Sequence, residues 1–274
     1  MNTPQPRSAT LDGAPPPARG RAPDSRSAFE ARLRAIGEAR YHDKHPFHTR
    51  LHGGACSPDE VRAWVLNRFC YQAAIPRKDA ALMARCDDPE MRRIWRSRIE
   101  DHDGAGPGEG GIERWLVLAD CVGLDRGVVA SRAAALPAVK FAVEAYVRFV
   151  AERSLLEAVA SSLTELFAAK IHKDRIAGLL AHYDFADDRA LSYFRTRLSQ
   201  APKDVAFGLG YVLDHADTAE KQDAAAAALT FKTDVLWAQL DAIDAAYGPD
   251  GRIPPGAWRP GEALIDGASM ERGS

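Results

Sequence analysis

The chain sets 36 Lys and Arg against 38 Asp and Glu over 274 residues; the formal net charge of −2 gives no electrostatic case for nucleic-acid binding, and no polybasic run supplies one locally. With 46% hydrophobic and 27% charged residues, it has the composition of a globular protein. It has no apolar stretch of about 18 residues, and its first residues lack the apolar centre of a secretory signal, so a cytoplasmic protein that does not enter a membrane is expected.

Residues 1–27 are rich in Pro, Arg and Ser, lack apolar periodicity, and read as a disordered arm. Helical patterning begins at Ala28. His42, His45, His48 and His52 follow; the last three would share a helical face able to hold zinc or iron, but Pro46 disturbs that helix and no acid completes a ligand set, so no metal site is expected. Ser57-Pro58-Asp59-Glu60 is a helix start, with a Ser cap, Pro in the first turn and Glu three residues after the cap. That helix is predicted to reach about Ala74, with Pro76 kinking or ending it.

Asp87-Asp88-Pro89 opens the next helix, which ends in the glycine-rich loop Gly104 to Gly111. This loop follows a helix and lacks a Lys-Ser/Thr ending, so it reads as a turn or lid, not a phosphate cradle. Ile112 to Val122 is a short helix closed by Gly123. Further helices are predicted over 138–160, 161–180, 187–200, 201–215 and Thr218 to Tyr247, and residues 249–274 read as a flexible tail. No segment alternates with a period of two, so the fold class is all-α: one domain over 28–248 with a disordered segment at each end. Cys56, Cys70, Cys86 and Cys121 lack metal or disulfide spacing and are expected to stay reduced.

Charged and polar residues stand on stripes that ought to face the core. Arg68 and Gln72 lie on the row with Val61, Trp64, Tyr71 and Ile75; Arg98 and His102 continue the row of Met91 and Trp95. Glu165, His172 and Arg175 recur at helical spacing, Tyr193 and Arg197 are four apart, and Lys232 lies between Leu229 and Leu236. One buried charge is satisfied by some neighbour; charges on five helices imply a shared polar cavity. Its richness in Arg, Lys and His suits a small polyanion, with His102 and His172 as candidate bases and the arginines as forks for carboxylates.

The ordered motifs Tyr41-His42, His45-Pro46, Asn67-Arg68-Phe69, Tyr71-Gln72, Lys78-Asp79, Arg98-Ile99, Asp101-His102-Asp103-Gly104, Ser161 to Phe167, Tyr193-Phe194-Arg195 and Phe231-Lys232 resemble the pyrroloquinoline-quinone synthase family over residues 29 to 248. The resemblance implies a haem-oxygenase-like helical bundle that forms a homodimer. It also implies the last step in making the redox cofactor pyrroloquinoline quinone (PQQ): ring closure and multi-electron oxidation of a polycarboxylate, quinone-like precursor by dioxygen. Peroxide would be released, with no metal or organic cofactor. Carried onto this chain, it makes His102 the principal proton-transfer residue and places His172, Tyr193 and Arg197 around dioxygen and peroxide. His42, Arg68, Gln72, Lys78, Arg98, Tyr146, Glu165, Arg175 and Lys232 would hold the substrate. The alternatives are a non-catalytic carrier of a polycarboxylate on the same bundle and a thiaminase-like hydrolase, which would call for a Cys nucleophile near a Glu.

Overall fold

A computed structural model describes residues 21–261, apart from the side chains of residues 200–204. The elements are α1 (Arg26–Arg40), a 3-10 turn (His42–Lys44), α2 (Pro46–His52), α3 (Pro58–Met83), α4 (Pro89–Asp103), α5 (Gly110–Cys121), α6 (Arg126–Ser131), α7 (Pro137–Glu152), α8 (Leu155–Ser161), a 3-10 segment (Ser162–Phe167), α9 (Ala168–His182), α10 (Ser192–His215) and α11 (Ala219–Tyr247). No strand occurs among the described residues, as the patterning predicted. No helix among them is long and apolar enough to cross a membrane.

The long helices α3 and α11 organise the bundle: α3 packs on α4, α5 and α7, and α11 on α1, α7 and α8. One apolar cluster gathers Phe47, Trp64, Trp115 and Phe194; a second gathers Phe29, Leu82, Trp95 and Leu229. Tyr71, halfway along α3, packs against both and against a third small cluster of Tyr41, Ile171 and Leu236. The polar residues therefore collect where the apolar cores meet.

The start of α3 is the predicted one: Ser57 Oγ accepts from Glu60 N at 3.2 Å, and Glu60 Oε2 accepts from Ser57 N at 2.8 Å. Its end is not. The helix runs through Pro76 to Met83, because flanking helices bury both sides and outweigh the lost backbone bond. This continuity puts Lys78 and Asp79 on the same rod as Arg68 and Gln72.

Other boundaries shift for local reasons. Pro46 occupies the first position of α2 behind the cap His45, whose Nδ1 accepts from Phe47 N at 3.0 Å, so it starts a helix and does not disturb one. The stretch 138–160 divides at Ser154, where a second capping box with Glu157 begins α8. The stretch 161–180 begins as the 3-10 segment, and 187–200 and 201–215 join into α10. α6 carries no sequence signal that predicted it.

The domain is wider than residues 28–248. Asp24 N donates to Gln222 Oε1 at 2.7 Å and Gln222 Nε2 donates back to Asp24 O at 3.0 Å, which docks residues 21–25 on α11. Trp258 is buried, its N donates to Ala134 O at 2.8 Å, and its carbonyl accepts from Tyr247 Oη at 2.7 Å. Composition favours disorder in both stretches, yet single anchoring side chains fix them. The remainder of the predicted arm and tail, residues 1–20 and 262–274, lies outside the described residues.

Candidate active site

The predicted stripes converge. A cavity of about 40 Å³ is lined by His42 from the 3-10 turn, Arg68 and Gln72 from α3, His102 from α4, Glu165 from the 3-10 segment, His172 and Arg175 from α9, and Tyr193 and Arg197 from α10. Lys78, Arg98, Tyr146 and Lys232 do not line it; Tyr146 and Lys232 pack against Tyr71. Lys232 Nζ donates to Tyr71 Oη at 2.6 Å and lies 3.6 Å from the centre of the Tyr146 ring. Lys78 and Arg98 flank Asp79 beside Trp95.

His102 is built as a base. Its Nδ1 lies 2.9 Å from the Arg98 carbonyl, which can only accept, so Nδ1 carries the proton and Nε2 keeps its lone pair. Burial, then the nearby Arg197 guanidinium, hold its pKa down to about 4, so the ring is neutral at pH 7. His172 is held at about 3 by burial and then Arg175; its Nδ1 has no hydrogen-bond partner among the described residues. Gly111 makes room for these rings: a Cβ there would sit 3.2 Å from Tyr193 and 3.4 Å from His102. Gly104 and Gly110 adopt φ of +83° and +84°, so the glycine loop folds back against the end of α4.

The cations are unevenly matched. Burial works to raise the Glu165 carboxyl, but Arg197, bonded to it at 3.0 Å, and Arg98 outweigh that and hold it at about 2. Arg175 makes no ion pair among the described residues. Its guanidinium donates to His48 Nε2 at 3.2 Å and lies over Trp64 and Phe194, and burial followed by Arg68 lowers its pKa to about 10. Arg68 lies 4.1 Å from the centre of the Tyr71 ring, also without an ion pair there. Lys232 is fully buried, and burial followed by Arg68 and Lys78 drives its pKa well below the usual ammonium value. Tyr193 Oη donates to Gln72 Oε1 at 2.9 Å.

These neutral histidines predict an acid-labile fold. The folded pKa values of His102 and His172, about 4 and 3, lie below the ordinary 6.5. The unfolded chain therefore takes up protons first as pH falls, and the stability present above pH 6.5 is lost progressively toward pH 4. Each contributes up to roughly 1.4 kcal/mol per pH unit in that window. His42 and His48, lowered in the same direction by burial, add to it. Thermal melts are expected to show the midpoint falling steeply below pH 6.5; a flat midpoint would show that these imidazoles are solvated.

Sequence reasoning missed Tyr71 and Asp79, both present in the quoted motifs but assigned no role, and weighed His48 only as a metal ligand. A lone acid beside Lys78, on a row shared with Ile75 and Leu82, was the available signal for Asp79. No group of three or more His, Cys, Asp or Glu among the described residues is placed to hold a metal ion. None of the four cysteines lines the cavity, and burial pushes the Cys56 and Cys70 thiols up to about 12 and 11.

Known proteins match this chain closely. The pyrroloquinoline-quinone synthase of Ruegeria pomeroyi is 69% identical over 240 residues, covering 88% of this chain and 99% of the relative. That of Rhizobium meliloti is 68% identical over 240 residues, covering 88% and 94%. A solved domain of unknown function with a heme oxygenase-like fold, from Shewanella denitrificans, superposes with a TM-score of 0.64 at 13% identity, covering 79% of this chain and 90% of that one; that likeness establishes the haem-oxygenase-like fold. The pattern of the TENA/THI-4/PQQC family matches residues 30–242. The chain belongs to the TENA/THI-4/PQQC family.

Proposed function

We infer that the chain is a pyrroloquinoline-quinone synthase, and propose that it acts as a cofactorless oxidase, closing the ring of a polycarboxylate quinone precursor and oxidising it with dioxygen to PQQ. The observation that carries this reading is the charge imbalance of the buried site. Arg68 and Arg175 line the cavity with no ion pair among the described residues, while the Glu165 carboxylate is taken up by Arg197. Buried cations without counter-charges are costly, and a bound polyanion supplies the missing ones.

His102 Nε2 removes a proton from the bound precursor, and the surrounding cations stabilise the enolate or quinol left behind. A reduced quinoid passes an electron pair directly to dioxygen; with two protons this gives hydrogen peroxide, which explains how no metal is required. The free space beside His172, Tyr193 and Arg197 suits dioxygen or peroxide, whereas a polycarboxylate quinone precursor needs several times that volume, so its binding displaces side chains of the wall.

Purified protein incubated with the precursor in air is expected to yield PQQ and peroxide, and under nitrogen to yield neither product. Precursor that binds tightly and is recovered unchanged in air would replace the oxidase with a carrier on the same bundle.

A further inference from the structure

Asp79 is fully buried, yet it does not line the cavity. Its Oδ1 accepts from Trp95 Nε1 at 2.7 Å and from Lys78 Nζ, and its Oδ2 faces Arg98 Nε at 3.9 Å. Lys78 and Arg98 also lie over the Trp95 ring, 5.9 and 5.0 Å from its centre. One carboxylate and one indole thus hold two cations that come from different helices, α3 and α4. The grip extends to the chemistry at both ends. Lys78 Nζ lies 3.5 Å from Ser162 Oγ, at the start of the segment that carries Glu165, and the Arg98 carbonyl fixes the tautomer of His102.

We propose that Asp79 is a positioning residue: without touching substrate, it holds Lys78 and Arg98 in place as a pair for one anionic group of the substrate. This rests on the polycarboxylate reading of the site. A purely structural role, tying α3 to α4, would show itself in stability alone.

The test is Asp79→Asn, which keeps the shape and an oxygen for Trp95 but removes the charge. Substrate KM is expected to rise roughly 10- to 100-fold, while kcat changes by less than about threefold. Combined with Lys78→Gln, the effect on KM is expected to fall well short of the product of the two single effects. Unchanged KM, or effects that multiply fully, would overturn the proposal. If Asp79→Asn does not fold, Trp95→Phe releases one of the carboxylate's donors at less cost; a KM raised several-fold supports the proposal and an unchanged one overturns it. A parent protein that neither binds nor converts the polycarboxylate precursor would end the functional reading itself, and this inference with it.

Discussion

Replacing His102 with Asn is expected to slow turnover by about 10²–10⁴-fold while substrate still binds. The amide keeps the approximate size and a donor for the Arg98 carbonyl, so the wall of the cavity is retained. It cannot accept a proton near neutral pH, so the lone pair that the imidazole presents on Nε2 is lost. The cations proposed to hold the substrate are untouched. Oxidation therefore stalls early, and a bound, partly processed species accumulates with its own absorbance. A variant that turns over at the parental rate would make His102 a structural histidine satisfied by Arg98, and the proton-transfer half of the mechanism would fail.

The second large effect has opposite signs for binding and stability. Arg175 is buried against Trp64 and Phe194, with His48 as its neutral partner and no carboxylate within ion-pair reach among the described residues. A buried charge so poorly compensated destabilises the empty protein, and an apolar residue of similar length commonly restores about 1–4 kcal/mol. Arg175→Met is therefore expected to raise the melting temperature of the ligand-free protein. It removes a guanidinium fork from the cavity wall, so substrate affinity is expected to fall by roughly 100-fold, in line with loss of a charged hydrogen-bonded partner. Ligand-free and ligand-bound melts, with steady-state kinetics, measure both arms. A variant less stable than the parent, with unchanged KM, would show that Arg175 supports the fold and not the ligand.

Legibility in the sequence followed what each signal depends on. The polar stripes depend only on helical periodicity, so Arg68, Gln72, His102, Glu165, His172, Arg175, Tyr193 and Arg197 line one cavity even where helix boundaries moved, whereas Arg98 and Lys232 from the same stripes do not. Glu165 illustrates this: the segment that carries it is 3-10, not α, yet it still faces the same cavity as His172. Pro76 misled because its local cost is real but smaller than the burial that α3 gains along its length. Ser154 misled because a capping box inside a run of helix formers gives no change of composition. Trp258 and Gln222 could not be read at all, since one anchoring contact between remote segments has no periodicity. That Lys78, Arg98, Tyr146 and Lys232 lie outside the cavity is likewise a product of packing between helices and not of any one of them.

Cofactorless oxidation is the central claim, and oxygen uptake tests it most directly. Protein dialysed against a strong chelator and verified to be metal-free is mixed with the precursor in air-saturated buffer, and dioxygen consumption, peroxide release and PQQ formation are followed together. Consumption, peroxide release and product formation at the rate of the untreated protein are predicted. Uptake that disappears on chelation and returns with one added metal would contradict the account.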